Sequence, residues 1–172
     1  MEKFKSPGTH LGKKTIENDL LSARKKSIID FNGIEHRMEK VTEINGTEYI
    51  NDSKATDFTA TFYSLSSMSK PVIWIVGSSE VQNDFLAFSE LVKEKVKAIV
   101  CLGKNNSHSF NLLKKEVKFF AEVNTISEAV ESASSFACGD DVVLFSPACP
   151  SFEMFESYKQ RGECFRKAVL SW

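Results

Sequence analysis

Short, uninterrupted apolar runs are the feature that most constrains the fold of this chain. Residues 72–76 and 98–102 are wholly apolar and each run ends at a glycine, and residues 142–145 form a third such run. Runs of this length are typical of strands that are buried on both faces of a sheet. Segments with helical periodicity lie around them, at 85–95, 109–115, 126–137 and 152–172. Strands that alternate with helices through short connections predict an α/β fold with a doubly wound, mostly parallel sheet.

A hairpin and an outer strand complete the predicted sheet. Asn45-Gly46 separates the segments 40–44 and 47–50, and this dipeptide is the strongest short-range signal for an antiparallel hairpin. The run 119–123 is a weaker strand signal, so we expect it at the outside of the sheet. The predicted architecture is therefore a mostly parallel sheet with an antiparallel hairpin near its start.

The chain divides into three predicted parts. Residues 1–14 are polar and contain proline and glycine, which predicts a flexible arm. Residues 15–39 are interpreted as a helical lead-in, with a helix over 15–31, followed by a linker. The folded domain is expected at 40–172, within a chain of 172 residues that is long enough for one sizeable core.

Composition excludes several classes of function. The formal net charge is −1 and no basic stripe is present, so nothing favours binding to nucleic acid. No apolar run approaches the roughly 20 residues of a membrane span, and the first ten residues do not resemble a signal peptide. The cysteines have no close spacing that would indicate a zinc site or a disulfide framework; they are Cys101, Cys138, Cys149 and Cys164. We therefore expect reduced thiols, no metal ligands and a cytoplasmic location.

The segment 51–56, Asn-Asp-Ser-Lys-Ala-Thr, is the first candidate site. It joins the predicted strand 47–50 to a predicted helix over 58–65, and ligands collect where a strand of an α/β sheet ends. Lys54 has the charge to neutralise a phosphate, and the carboxylate of Asp52 can accept hydrogen bonds from ribose hydroxyls. The alternative is that Asp52 or Ser53 caps the helix and that Lys54 is only solvated.

The segment 146–151, Ser-Pro-Ala-Cys-Pro-Ser, is the second candidate site. Its two prolines predict a stiff turn at the same end of the sheet as 51–56 and 77–84. Such a turn could present the Ser151 hydroxyl and the N–H groups at the start of a helix to a carboxylate. Alternatively, Ser151 serves only as the N-cap of that helix. Cys149 is expected to be a small core residue and not a nucleophile.

Three motifs in this order resemble those of the Mur ligases, the ATP-dependent enzymes that form amide bonds in peptidoglycan synthesis. They are Gly-Ile-Glu-His-Arg-Met-Glu at 33–39, the segment 51–56, and Ser-Pro-Ala-Cys-Pro-Ser-Phe at 146–152 followed by Arg-Gly-Glu-Cys-Phe at 161–165. The similarity covers residues 25–172 and points to the C-terminal, Rossmann-like domain of members that add D-glutamate. In this family, such a domain closes over a central ATPase domain.

The resemblance implies a set of ligand-binding positions. Those implied to lie at the nucleotide are His36, Arg37, Asp52 and Lys54, with Arg37 in contact, Asp52 at the ribose and Lys54 at the phosphates. Those implied to line the D-glutamate pocket are Thr56, Ser151 and Phe152, with Tyr158 nearby. The implied cofactors are ATP and magnesium, the latter through the central domain. The implied partners are D-glutamate, UDP-N-acetylmuramoyl-L-alanine and the N-terminal and central ligase domains.

In the family, ATP phosphorylates the muramoyl-alanine carboxylate, and the amine of the amino acid then attacks the acyl phosphate. A domain of this kind is not expected to catalyse ligation alone.

The chain departs from the family pattern after residue 77. Ser78 stands in place of a second glycine, and Val81 stands in place of a lysine that holds D-glutamate. A charge-assisted contact of that kind is worth ~1.5–3 kcal/mol. Nothing in the sequence resembles the family's UDP-binding or ATPase domain. Two hypotheses follow: the acceptor-binding domain of a ligase, or a stand-alone, non-catalytic module that binds a nucleotide or amino acid or regulates a partner.

Overall fold

A computed structural model describes residues 34–78, 85–104, 108–151 and 154–172. The described strands are β1 (Glu39–Ile44), β2 (Thr47–Asn51), β3 (Val72–Gly77), β4 (Val96–Leu102), β5 (Phe119–Val123) and β6 (Val142–Phe145). The described helices are α1 (Phe58–Ser67), α2 (Phe85–Lys95), α3 (His108–Glu116), α4 (Ile126–Phe136) and α5 (Tyr158–Leu170). The predicted arm at 1–14 and the predicted helix at 15–31 lie outside the described residues.

The six strands form one sheet in the order β1-β2-β6-β3-β4-β5. Strands β2 to β6 pair in parallel, and β1 pairs with β2 in the antiparallel direction. The predicted hairpin is confirmed, because Asn45 and Gly46 have φ angles of 52° and 84°, which suit a tight two-residue turn. Strand β5 lies at the edge, as its weaker apolar character predicted.

Helices cover both faces of the sheet, which confirms the doubly wound architecture. On one face, α4 and α5 pack on a cluster that includes Ile75, Val100 and Phe165. On the other face, α1, α2 and α3 pack on a cluster that includes Trp74 and Leu144. Burial on both faces explains why β3, β4 and β6 are continuous apolar runs.

Two helix starts differ from the sequence prediction. The last helix begins at Tyr158 and not at residue 152, because the hydroxyl of Ser157 accepts the N–H of Gln160 and caps it there. Ser151 is therefore not its N-cap. Helix α1 is capped by Asp57, whose carboxylate accepts the N–H of Ala60, and not by Asp52 or Ser53.

No helix among the described residues is both long enough and apolar enough to cross a membrane.

Candidate functional site

The loops that follow β2 and β6 and the last residue of β3 are bound to one another at the carboxyl edge of the sheet. The N–H of Asp52 donates to the carbonyl of Phe145 at 2.8 Å, and the N–H of Ala148 donates to the carbonyl of Ala55 at 3.1 Å. The N–H of Gly77 donates to the carbonyl of Pro147 at 2.8 Å. The end of β3 therefore meets the two candidate segments at one edge of the sheet, as the parallel strand direction predicted.

Asp52 lies inside this site, with 3% of its surface exposed. Its Oδ2 accepts the hydroxyls of Ser64 at 2.6 Å and of Ser146 at 2.8 Å, and its Oδ1 accepts the N–H of Met38 at 3.3 Å. Burial raises the pKa of Asp52 to about 6, although these hydrogen bonds oppose the shift. The carboxylate therefore joins α1, the 146–151 segment and the 34–38 turn.

The turn that carries Arg37 has an unusual backbone. His36 and Met38, on either side of Arg37, have φ angles of 63° and 49°, in the left-handed region that is costly for residues other than glycine. The carbonyl of His36 accepts the N–H of Lys54 at 3.0 Å, and Asp52 holds the N–H of Met38. Contacts from the 51–56 segment thus support the strained turn and set the position of the half-buried Arg37.

His36 is a buried structural residue in this arrangement. Its Nδ1 accepts the side-chain amide of Asn51 at 2.9 Å, because Oδ1 of Asn51 already accepts the N–H of Ser53. The same amide donates to the carbonyl of Gly162 at 3.1 Å. A Cβ atom at Gly162 would lie 2.5 Å from Nδ1 of His36, so only glycine leaves room for the imidazole. This packing joins the His-Arg motif, the 51–56 segment and the Arg-Gly motif.

Arg161 joins the 51–56 and 146–151 segments, a role that the sequence did not predict for it. Its guanidinium donates to both the hydroxyl and the carbonyl of Ser53, at 3.0 and 2.8 Å. It also donates to the carbonyls of Cys149 at 2.9 Å and of Pro150 at 3.3 Å. The side chain is 2% exposed, and burial lowers its pKa. All of these acceptors are uncharged groups.

A small pocket of about 20 Å³ lies beside Arg161. Its wall includes Ser78, Pro147, Cys149, Ser151 and Phe155. Cys149 is half-buried and lies 3.6 Å from the Arg161 guanidinium, so the expectation of a core cysteine was wrong. Its thiol packs against Gly77 so closely that a side chain there would collide with it.

The remaining predicted residues lie around the same edge. Lys54 is half-buried, with its Nζ 5.9 Å from the centroid of the Tyr158 ring. Ser151 is buried and its carbonyl accepts the N–H of Phe155 at 2.9 Å, while Thr56 is half-buried. Phe152 lies outside the described residues.

Among the described residues, one group of carboxylate and imidazole atoms is compact enough to suggest a metal site: Glu35, His36 and Glu163. Arg166 forms ion pairs with both glutamates, at 3.3 Å each. In this arrangement the side-chain amide of Asn51 already occupies Nδ1 of His36. Magnesium also prefers oxygen ligands, so this group does not fit it.

The fold and the joined segments define the class of the protein: a Rossmann-like α/β domain with a candidate ligand site at the carboxyl edge of its sheet. A family model described as "Mur ligase, glutamate ligase domain" matches residues 36–149. The chain belongs to the Mur ligase family and carries its C-terminal domain.

Curated relatives agree with this assignment. The chain is 44% identical over 159 residues to the UDP-N-acetylmuramoylalanine–D-glutamate ligase of Christiangramia forsetii, covering 90% of this chain and 36% of that protein. It is 42% identical to the ligase of the same name from Bacteroides fragilis, covering 84% of this chain and 33% of that protein. The chain thus spans about a third of the length of these relatives.

A solved structure shares the fold. The bifunctional folylpolyglutamate synthase/dihydrofolate synthase of Yersinia pestis superposes with a TM-score of 0.50 at 17% identity, covering 81% of this chain and 32% of that one.

Proposed function

We propose that this chain acts as the C-terminal, acceptor-binding domain of a cytoplasmic UDP-N-acetylmuramoylalanine–D-glutamate ligase in peptidoglycan synthesis. The observation that carries the proposal is the joining of the three family motifs into one site. Asn51 contacts both His36 and Gly162, and Arg161 contacts both Ser53 and Cys149. The names and identities of the curated relatives support the same function.

The nucleotide side of the site is proposed to consist of Arg37, Lys54 and Asp52, with His36 as their buried support. Arg37 and Lys54 are half-buried cations on adjacent segments, a placement that suits the phosphates of ATP. Asp52 is proposed to act at the ribose, and its buried carboxylate also holds the Met38 N–H through Oδ1. The strained backbone on both sides of Arg37 supports a functional role for that side chain.

The acceptor side is proposed to consist of Thr56, Ser151, Phe152 and Tyr158, and of these Ser151 lines the pocket beside Arg161. The buried guanidinium contributes a positive charge that no described carboxylate pairs with, which favours an anionic ligand such as D-glutamate.

Catalysis is proposed to need the central ATPase domain that the family supplies. ATP, when bound, supplies the phosphoryl group that activates the carboxylate of UDP-N-acetylmuramoyl-L-alanine, and magnesium is assigned to the central domain. Lys54 is proposed to neutralise phosphate charge, and the acceptor residues are proposed to orient the D-glutamate amine for attack. This domain therefore binds and orients, and it is not proposed to ligate alone.

A second candidate is a stand-alone module that binds a nucleotide or an amino acid, or regulates a partner enzyme. The observation that favours it is Val81 at the position where the resemblance implies a lysine for D-glutamate. Without that cation, selective binding of D-glutamate is less favoured, whereas the residues proposed to bind the nucleotide are all present.

Calorimetric titration of the 172-residue chain with D-glutamate, and separately with ADP and magnesium, distinguishes the candidates. Saturable binding of D-glutamate but not of L-glutamate, weakened by Ser151→Ala and not by the exposed Ser135→Ala, supports the acceptor-binding domain. Binding of ADP alone, weakened by Lys54→Ala, supports the module. Binding of neither ligand, even in Val81→Lys, argues against both ligand assignments.

A further inference from the structure

Three reactive side chains meet at the end of the sheet opposite the candidate site. Lys97 lies near the start of β4, Asp141 directly precedes β6, and Cys138 lies in the turn between α4 and β6. The candidate site is at the carboxyl ends of these strands, whereas this cluster is at their amino ends. Neither the family assignment nor the proposed function gives these residues a role.

The cluster holds the Lys97 amine against the Cys138 sulfur. Nζ of Lys97 lies 3.1 Å from Sγ of Cys138 and 2.6 Å from Oδ2 of Asp141. The same Oδ2 accepts the backbone N–H of Cys138 at 2.8 Å. Asp141 is buried. Because Oδ2 accepts both hydrogen bonds, this single oxygen holds the Lys97 amine and the backbone that carries the thiol.

Cys138 is also the accessible thiol in the described chain. It is exposed, whereas Cys149 and Cys164 are half-buried. Cys101 is fully buried, and this burial raises its pKa to about 12, so its thiol stays protonated. An oxidant in solution therefore reaches Cys138 first, at a sulfur with an amine already beside it.

We propose that Lys97 and Cys138 form a reversible covalent N–O–S link when the protein meets a peroxide. In the first step the Cys138 sulfur takes one oxygen from a peroxide. The S–O bond forms, the O–O bond breaks, and the products are the Cys138 sulfenic acid and one water. In the second step the Lys97 ammonium loses a proton to solvent and its nitrogen bonds to that oxygen. A second peroxide accepts the two electrons and is reduced to two waters, taking up the remaining N–H and O–H hydrogens.

The distance between nitrogen and sulfur favours an oxygen bridge over a direct bond. One oxygen atom with two single bonds nearly spans the present separation of 3.1 Å, whereas a direct S–N bond requires a much larger approach. The bridge would join β4 to the α4–β6 turn across β3, which lies between β4 and β6 in the sheet. A cross-link between residues 41 positions apart restricts the unfolded chain, so the oxidised protein should unfold at a higher temperature.

The test treats the 172-residue chain with hydrogen peroxide, digests it without reductant and measures the peptides by tandem mass spectrometry. The expected product is a Lys97 peptide joined to a Cys138 peptide, with a mass equal to their sum plus one oxygen and minus two hydrogens. It should disappear with dithiothreitol and should be absent in Cys138→Ser and in Lys97→Arg, which keeps the charge beside Asp141. Cys164→Ser is the matched control and should form the link as the wild type does.

Three results would overturn the proposal. One is oxidation of Cys138 to a sulfinic acid or to an intermolecular disulfide with no linked peptide. Another is a linked peptide without the added oxygen, which would mean a direct S–N bond. The third is a thiol at Cys138 that remains unmodified while Cys164 reacts. The melting temperature is a second measurement of the link. It should increase on oxidation in the wild type and in Cys164→Ser but not in Lys97→Arg.

Discussion

Replacing Arg161 with lysine removes the guanidinium fork but keeps the positive charge. In the native structure this group donates to four acceptors on two segments: the hydroxyl and carbonyl of Ser53 and the carbonyls of Cys149 and Pro150. An ammonium group is a single point with three donors and cannot reach both segments at once. At least two buried acceptors should therefore remain without a donor.

The magnitude follows from those acceptors. Each buried acceptor that is left unsatisfied costs ~1–3 kcal/mol, so the loss of two should lower the free energy of unfolding of Arg161→Lys by about 2–6 kcal/mol. Arg166→Lys is the matched control on the same helix. Its side chain is partly exposed and pairs with Glu35, Glu39 and Glu163, and a lysine keeps its charge beside these carboxylates, so the cost should be about 1 kcal/mol or less.

Urea unfolding followed by tryptophan fluorescence measures this difference, because Trp74 is fully buried and reports loss of the core. Amide hydrogen exchange measures the effect on each segment separately. The backbone amides of residues 52–56 and of residues 148–151 should both lose protection in Arg161→Lys under native conditions. An Arg161→Lys variant that is no less stable than Arg166→Lys, or that loses protection in one segment only, would refute the role of Arg161 as the link between the two segments.

Other predictions concern the supports of the site. Gly162→Ala should cost about 1–2 kcal/mol of stability in urea unfolding, because overpacking against His36 outweighs the gain of about 1 kcal/mol in helix propensity. Asp52 has a folded-state pKa of about 6 against an ordinary value of 3.8, so its contribution is fully present below 3.8 and is lost as pH rises through 6. Wild-type stability should therefore increase relative to Asp52→Asn by up to about 3 kcal/mol between pH 7 and pH 4. Iodoacetamide at neutral pH should label Cys138 in the folded protein and leave Cys101 unlabelled until urea is added.

Each of these predictions has a clear contrary result. A Gly162→Ala protein as stable as the wild type would mean that the His36 ring moves freely. A stability difference between wild type and Asp52→Asn that is constant from pH 7 to pH 4 would mean that Asp52 does not titrate in this range. Labelling of Cys101 in the folded protein would contradict its burial.

The sheet could be predicted from sequence because its signals are local. The apolar runs of β3, β4 and β6 reflect burial on both faces, and Asn45-Gly46 identifies the hairpin without knowledge of any distant residue. The grouping of the loops after β2, β3 and β6 follows from the parallel direction of those strands.

The role of Arg161 could not be predicted in the same way, because its partner Ser53 is 108 residues away in the chain. One local signal was available. Arg161 shares a spacing of four with Phe165 and Val169, so it lies on the buried stripe of α5, where a charge needs a specific structural reason.

The start of α5 was misplaced because the Pro-Ser turn at 150–151 resembles a helix start. A second serine, Ser157, is followed three residues later by Gln160, and that spacing is a better helix-start signal. The structure uses this second signal: the Ser157 hydroxyl accepts the N–H of Gln160, and the Gln160 side chain accepts the N–H of Glu156. Met154 and Phe155, which lie between the two serines, thereby line the pocket beside Arg161.

The most direct test of the proposed function is a domain exchange in the Christiangramia forsetii ligase, whose C-terminal third would be replaced by residues 34–172 of this chain. The measurement is D-glutamate-dependent release of phosphate from ATP in the presence of UDP-N-acetylmuramoyl-L-alanine. We expect release that Lys54→Ala abolishes and that Val81→Lys increases. A folded chimera that releases no phosphate on addition of D-glutamate, with either valine or lysine at position 81, would contradict it.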